Sequence, residues 1–299
     1  MKWLKRFITV VIVLTIFYFL ITNLNNNWHK IPRDSLHFNF VNILISLTFL
    51  FLNFLIFVEA WRKIIHTLGN AITFSNAFWI MSSSQLAKYI PGGIWFALGR
   101  IYLGKTDKLK PETIGISVII ETALTLLVGI ILFLFSLLLA TRNTISNFLF
   151  VVPIAVLFII FLHPKVLNKL LDWSTHLINR GSVYFRANYL YLLYLSLYFF
   201  GLWIAQIIGF YFLINSIYPV PITKIFHLAG AYTLSWMSGF IVIFAPGGLG
   251  VREGMMSLLL SSFIPSPLAI AISFLSRVWI TVFEIVVFFI GVAIHKASR

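Results

Sequence analysis

Two Pro-Gly-Gly segments stand close to arginines and contain the residue types best suited to chemistry. They are Pro91-Gly92-Gly93 and Pro246-Gly247-Gly248, and Arg100 and Arg252 follow them within nine residues. Proline lacks a backbone N–H and glycine relaxes φ, so a helix must end at each segment. The helix that begins after such a break presents bare N–H groups and a positive dipole end. This pattern favours an anion, and arginine strengthens the preference through charge-assisted hydrogen bonds to phosphate.

The predicted anion-binding residues are the glycines of both segments and the cations beside them. They are Lys88, Gly92, Gly93, Arg100, Gly247, Gly248 and Arg252. Helix breaks within a membrane persist only against protein or a water-filled cavity, which is where transporters bind substrate. An ordinary span with a kink is the alternative, because glycine and proline are frequent in membrane helices.

A second group of charged residues lies inside apolar segments, where a charge costs at least about 2.5–3.5 kcal/mol at a helix centre. We expect these residues to exchange ion-pair partners as a gate: Glu121, Glu253, Arg277 and Glu284. Ser273, Arg277, Thr281 and Glu284 recur every three or four positions and predict a polar stripe on one helix face. Arg277 and Glu284 are more than one turn apart, so partners such as Glu121 or Arg252 are expected. Ion pairs that only hold the bundle together are the alternative.

The composition is that of a bilayer protein, with 60% hydrophobic and 10% charged residues and a mean hydropathy of +0.99. Soluble domains are about half apolar and a quarter charged. The net charge of +14 resides in short loops between apolar runs. It therefore indicates membrane topology and contact with anionic lipids, and no nucleic acid partner is expected.

Enzyme chemistry finds little support in the sequence. The eight acidic and seven histidine residues are scattered, and there is no cysteine. Neither a metal site, a cofactor site nor a catalytic dyad is predicted. Gly248-Leu-Gly-Val-Arg-Glu-Gly254 lacks the surrounding βαβ unit and the lysine of a nucleotide-binding loop. We expect a protein that is not an enzyme.

The apolar runs predict an all-α, polytopic membrane helix bundle forming a single domain over 1–299. Full spans of about 20 residues are expected at 7–22, 38–60, 113–140, 147–163, 188–214 and 267–294. The regions 72–104 and 225–265, each broken by Pro-Gly-Gly, are predicted to be re-entrant hairpins of opposite orientation. Basic residues concentrate in the loops on the side of both termini, so both termini are expected in the cytoplasm.

The two halves of the chain have the same order of elements. Span, hairpin and span recur at 38–140 and 188–294 with opposite orientation, which predicts an inverted repeat. The segment 164–187 between them alternates basic and apolar faces. It is predicted to be an amphipathic connector at the membrane surface, with an ordinary juxtamembrane linker as the alternative.

The residues from Lys88 to Trp95 with Arg100, and Ala245-Pro-Gly-Gly-Leu-Gly-Val-Arg-Glu-Gly254, resemble the membrane region of lysylphosphatidylglycerol synthases. That family also includes stand-alone flippase-like proteins. The synthases carry a soluble aminoacyl-transferring domain after the membrane region, and this chain ends at Arg299. The resemblance therefore implies a flippase of the cytoplasmic (inner) membrane, translocating an anionic phospholipid or a polyprenyl-phosphate-linked sugar. A membrane enzyme acting on a lipid-linked substrate and an accessory partner of a membrane glycosyltransferase are the alternatives, and a homo-oligomer stays open.

Overall fold

The computed structural model of the chain describes residues 37–90, 94–107, 109–140, 188–242 and 245–297, with isolated residues elsewhere. Within these ranges the ordered elements are helices and no strand occurs. The α-helices are α1 (Phe40–Thr67), α2 (Phe74–Gln85), α3 (Trp95–Gly104), α4 (Pro111–Ala140), α5 (Tyr189–Asn215), α6 (Ile225–Ile241), α7 (Val251–Leu260) and α8 (Ser266–Ala297). The predicted spans 7–22 and 147–163, the connector 164–187, and Gly92 and Gly93 lie outside the described ranges.

Four helices are long and apolar enough to cross a membrane, namely α1, α4, α5 and α8. They correspond to four of the predicted spans and confirm an all-α membrane helix bundle. Side chains fix where two of them begin. Asn39 accepts a hydrogen bond from the Asn42 N–H at the start of α1, and Asn188 accepts one from Tyr191 at the start of α5. Both are helix N-caps that satisfy otherwise unpaired donors.

Helices α1 and α5 lie antiparallel and are joined by side chains that bond to the opposite backbone. Four such bonds run along the pair: Asn42 to the Asn215 carbonyl (2.8 Å), Ser46 to Gly209 (2.7 Å), Asn53 to Leu202 (2.7 Å), and Tyr191 to Lys63 (3.3 Å). The bundle thus has a Lys63 end and an Asn215 end, named after the residues there. Each of these four side chains is satisfied by a carbonyl, as hydrocarbon requires.

The first hairpin is formed by α2 and α3 and has its base at the Lys63 end. At the base, the Asn76 side chain donates a hydrogen bond to the Asp107 carboxylate. Nearer the turn, α3 packs closely on α2, since a Cβ added to Gly99 would lie 3.5 Å from the Ser84 Cβ. The chain enters the turn through a short 3₁₀ helix, Leu86–Tyr89.

The second hairpin is formed by α6 and α7 and has its base at the Asn215 end. The Val220 N–H donates to the Asn215 side chain at this end, and the rings of His227 and Phe263 lie 5.6 Å apart across the base. The two hairpins therefore insert into the bundle from opposite ends. Each arm is much shorter than α1, at 12 and 10 residues in the first hairpin and 17 and 10 in the second.

Three glycines make the turn of the second hairpin. Gly247, Gly248 and Gly250 have φ of 56°, 74° and 83°, a region that other residues rarely adopt. Space is equally restricted, because a Cβ on Gly248 would lie 2.8 Å from the Cα of Gly239 on α6. The sequence Pro246-Gly-Gly-Leu-Gly250 is therefore what allows α7 to fold back against α6.

Candidate functional site

The tips of the two hairpins meet beside α8. Tyr89 in the first tip lies over the Arg277 guanidinium, with the Arg277 Cζ 5.4 Å from the ring centroid. A Cβ added to Gly247 in the second tip would lie 3.7 Å from the same tyrosine ring and 2.7 Å from Arg277 Nη2. We call the polar residues at this meeting point the tip junction: Lys88, Tyr89, Tyr232, Arg252, Glu253, Arg277, Thr281 and Glu284.

Two residues of the polar stripe predicted on the last helix, Thr281 and Glu284, contact the first hairpin. Lys88 forms an ion pair with Glu284. The Tyr89 hydroxyl donates to the other oxygen of that carboxylate over 2.9 Å and also lies 2.9 Å from the Thr281 hydroxyl. The turn of α8 from Thr281 to Glu284 thus holds the tip of the first hairpin through one ion pair and two hydrogen bonds of the Tyr89 hydroxyl. Ser273 is fully buried, and its hydroxyl donates to the Ile270 carbonyl of its own helix.

Arg277 extends from α8 to the second hairpin, where its nearest carboxylate is Glu253. The Arg277 Nε lies 3.7 Å from Glu253 Oε1, beyond hydrogen-bond distance. The other Glu253 oxygen accepts from the Gly250 N–H at 2.6 Å and so fixes the start of α7. Among the described residues, Arg277 Nε and Nη2 and Glu253 Oε1 have no hydrogen-bond partner, although all three atoms are buried. A buried donor without an acceptor costs about 1–3 kcal/mol, which makes Arg277 receptive to a ligand oxygen.

Arg252 is held on the other side of the second hairpin by a tyrosine instead of a carboxylate. Its Nη2 donates to the Tyr232 hydroxyl at 2.7 Å, and its Cζ lies 5.2 Å from the ring centroid. Gln206 of α5 donates to the same hydroxyl at 2.8 Å. Arg252 is 8% exposed, so a positive charge is buried here with no acidic hydrogen-bond partner in the described part of the chain.

The tip junction therefore contains more positive than negative charge. Lys88, Arg252 and Arg277 are three cations, and Glu253 and Glu284 are two carboxylates, which leaves one positive charge uncompensated among the described residues. Chemically, such a site can bind a singly charged anion that supplies several hydrogen-bond acceptors.

Arg100 is placed differently from Arg252. Its two terminal nitrogens donate to both oxygens of Glu121, the second at 3.1 Å, and join α3 to α4. The pair is enclosed, with Arg100 0% and Glu121 4% exposed. Aromatic rings cover the guanidinium at 5.5–5.9 Å, from Trp61, Phe57 and Phe96. No contact of the described residues brings Arg100 and Arg252 together, and Glu121 is the partner of Arg100, not of Arg277.

Two residues of the tip junction, and Gln206 beside it, are not predicted by the sequence patterns. Tyr89, Tyr232 and Gln206 orient the charged groups, and the two tyrosines carry no signal because tyrosine is frequent in membrane proteins. Gln206 offered the best signal, because it is an amide in the middle of a long apolar helix and needs a polar partner there. The sequence predicted Glu121 or Arg252 as partners of Arg277 and Glu284. In the structure Arg277 lies next to Glu253, and Glu284 pairs with Lys88.

The fold and the buried charged cluster define a multi-pass helical membrane protein. The sequence model of one family, described as the lysylphosphatidylglycerol synthase TM region, matches residues 6–287. The chain belongs to this family of membrane proteins, which confirms the resemblance seen in its two Pro-Gly-Gly segments. A comparison with curated proteins found no match.

Proposed function

We propose that this protein is a flippase that moves an anionic phospholipid or a polyprenyl-phosphate-linked sugar across the cytoplasmic membrane. The observation that supports the proposal is the single uncompensated positive charge at the tip junction. A phosphodiester headgroup carries one negative charge and several acceptor oxygens, so it complements that site. The acyl chains would stay in the bilayer while the headgroup crosses between the hairpins. The lipid is moved and not chemically altered.

In this proposal Arg277 and Arg252 are the principal phosphate ligands. Arg277 has two buried nitrogens without acceptors among the described residues, and phosphate oxygens would supply them. Arg252 is held in place by Tyr232, whose hydroxyl is fixed by Gln206. The Gly248 N–H already donates to the Ala245 carbonyl at 2.9 Å, so the further donors would be the backbone N–H of Gly247 and those predicted at Gly92 and Gly93.

The carboxylates of the tip junction take the place of the lipid when no lipid is bound. Glu253 and Glu284 lie next to Arg277 and Lys88, and a phosphate that approaches these cations would weaken both pairs. Because Lys88 is on the first hairpin and Glu284 is on α8, breaking that pair would free the first tip to move. The Arg100–Glu121 pair, which joins α3 to α4, would make this arm move together with α4.

The proposed topology has six spans and two re-entrant hairpins in an inverted repeat of 38–140 and 188–294, with both termini in the cytoplasm. The opposite insertion of the two described hairpins supports it. The Lys63 end is rich in basic residues, which favours the cytoplasmic side: Arg62, Lys63, Lys105, Lys110 and Lys296. With a negative cell interior, outward movement of a singly charged headgroup would release about 2.3 kcal/mol per 100 mV.

A reconstitution experiment tests the proposal. Purified protein is placed in liposomes with a trace of fluorescent phosphatidylglycerol, and bleaching by external dithionite reports lipid that has crossed. We expect Arg277→Gln and Arg252→Gln to slow crossing by about tenfold or more, since each loses a charged hydrogen bond worth about 1.5–3 kcal/mol. Lys110→Gln, which removes a cation from the Lys63 end, is the matched control and should flip lipid normally.

The proposal is wrong if the wild-type protein moves neither phosphatidylglycerol nor a polyprenyl-phosphate lipid. It is also wrong if Arg252→Gln and Arg277→Gln proteins, folded as judged by their melting temperatures, move lipid at the wild-type rate. Zwitterionic phosphatidylcholine is a second control. An equal rate for this lipid would show that the uncompensated charge does not select the cargo.

A further inference from the structure

A cavity of about 450 Å³ opens at the Lys63 end, apart from the tip junction. It is lined by residues of α1, of the loop that follows and of the start of α5: Arg62, Lys63, His66, Ala71, Ile72 and Tyr191. None of these belongs to the tip junction. Small-ligand sites are typically about 300–1,000 Å³, so the cavity can accommodate a headgroup but not a whole lipid.

The cavity wall carries more positive than negative charge. Arg62 donates to both oxygens of Glu59, at 2.7 and 2.9 Å. Lys63 lies 3.7 Å from the same carboxylate, beyond hydrogen-bond distance. Two permanent cations, Arg62 and Lys63, therefore share one carboxylate. The imidazole of His66 also lines the cavity. The Arg62 and Lys63 side chains are 38% and 34% exposed, so both can reach a ligand from outside.

The surface beside the cavity has the character of a membrane interface. Tyr191 lines the cavity, and one turn further along α5 the hydroxyls of Tyr194 and Tyr198 are hydrogen-bonded at 2.8 Å. Tyrosine is enriched where membrane proteins meet the headgroup layer. Leu190 and Leu197 on the same helix are 72% and 65% exposed. A basic cavity, a tyrosine rim and an outward apolar face are thus contiguous.

We infer that this cavity holds the phosphate of an anionic phospholipid from the leaflet at the Lys63 end, with its acyl chains along the exposed face of α5. Basic pockets between membrane helices are known to take up anionic lipid headgroups. One phosphodiester charge would balance the cation that Glu59 leaves over. This lipid is a bound, resident molecule whose site is separate from the tip junction, so the inference does not depend on the proposed flipping.

Native mass spectrometry of the purified protein, titrated with phosphatidylglycerol or phosphatidylcholine, tests the inference. The change is Arg62→Gln with Lys63→Gln. We expect the variant to retain one phosphatidylglycerol fewer per protein, with an affinity at that site about 30-fold lower, because each basic residue near anionic lipid contributes about 1 kcal/mol. The matched control, Lys105→Gln with Lys110→Gln, removes the same charge from the same end outside the cavity and should retain the lipid.

Ala71→Trp is a second variant that keeps every charge. Its indole would fill the cavity mouth, and we expect the same phosphatidylglycerol molecule to be lost. Equal losses in the cavity and control double variants would overturn the inference, because only general surface charge would then matter. So would equal retention of phosphatidylcholine by the wild-type protein. Binding of glycerol phosphate alone as tightly as the lipid would overturn it too, since the ligand would then be a soluble phosphate.

Discussion

Lys88 at the tip of the first hairpin forms an ion pair with Glu284 in the middle of the last helix. The Tyr89 hydroxyl bonds to the same carboxylate, so one acidic side chain holds two consecutive residues of the tip. The Lys88 and Glu284 side chains are 25% and 14% exposed. The pair is therefore accessible enough to exchange partners, and it is buried enough that breaking it should lower the stability of the protein.

Removing one partner of this pair should cost stability, and removing both should restore most of it. Breaking a fully buried pair costs about 3–5 kcal/mol, and partial exposure lowers our expectation to about 2 kcal/mol for Lys88→Met or Glu284→Met alone. In Lys88→Met with Glu284→Met no unpaired charge remains. Thermal unfolding in detergent of the wild type, both single variants and the double variant gives the coupling directly. Additive losses would contradict a direct ion pair.

Tyr232→Phe should impair lipid movement more than it impairs folding. The ring stays in place, but Arg252 and Gln206 both lose the hydroxyl to which they donate. A hydrogen bond to a charged group contributes about 1.5–3 kcal/mol, so the rate of flipping is expected to fall about tenfold or more. Tyr211→Phe is the matched control, because it removes a hydroxyl bonded to the Val220 carbonyl near the Asn215 end. Equal rates in the two variants would rule out a positioning role for Tyr232.

Gly248→Ala should destabilise the second hairpin. An alanine at φ 74° is strained by about 1–2 kcal/mol, and its Cβ would lie 2.8 Å from the Gly239 backbone, which cannot move without shifting α6. Gly115→Ala in α4 is the control, since a Cβ there meets nothing within 4 Å. Alanine favours a helix over glycine by about 0.8–1 kcal/mol, so this variant should melt at the same temperature or higher. A Gly248→Ala protein as stable as the control would disprove the tight turn.

Single cysteines should reveal the opposite orientation of the two hairpins. The chain contains no cysteine, so an introduced thiol is the only one that can react. Lys105 at the base of the first hairpin and Thr223 at the base of the second are both exposed. A maleimide that cannot cross membranes should label Thr223→Cys in intact cells and Lys105→Cys only after permeabilisation. Labelling of both from one side would contradict the proposed topology.

The sequence predicted the fold better than it predicted the pairing of charges. Helix ends follow from local properties, namely proline, glycine and the length of apolar runs. The described helices accordingly begin and end within a few residues of the predicted ones, except that α1 extends to Thr67 beyond the predicted 60. That final stretch includes Arg62 and Lys63, and charged residues at the end of an apolar run favour a loop over a continued span.

Pairing of charges depends on how helices are rotated and which tips touch, which local sequence does not encode. Arg100 and Arg252 both follow a Pro-Gly-Gly segment, yet Arg100 meets Glu121 on the neighbouring helix and Arg252 meets a tyrosine. The difference arises because α3 packs beside α4, which offers a carboxylate at that height. Helix α7 packs on α6, which contains no acidic residue, and on α8, whose Glu284 is paired with Lys88. Only the three-dimensional arrangement distinguishes the two arginines.

The bonds that join α1 to α5 have a consequence for how the protein is made. Ser46 on α1 bonds to the Gly209 carbonyl, 163 residues later in the chain. At about 5–20 residues per second, a ribosome needs roughly 8 to 30 s to synthesise that interval. During this time Asn42, Ser46 and Asn53 are in the membrane before α5 exists to receive their hydrogen bonds. Until then these side chains need other partners, such as water or their own helix, so assembly of the bundle is completed only late in translation.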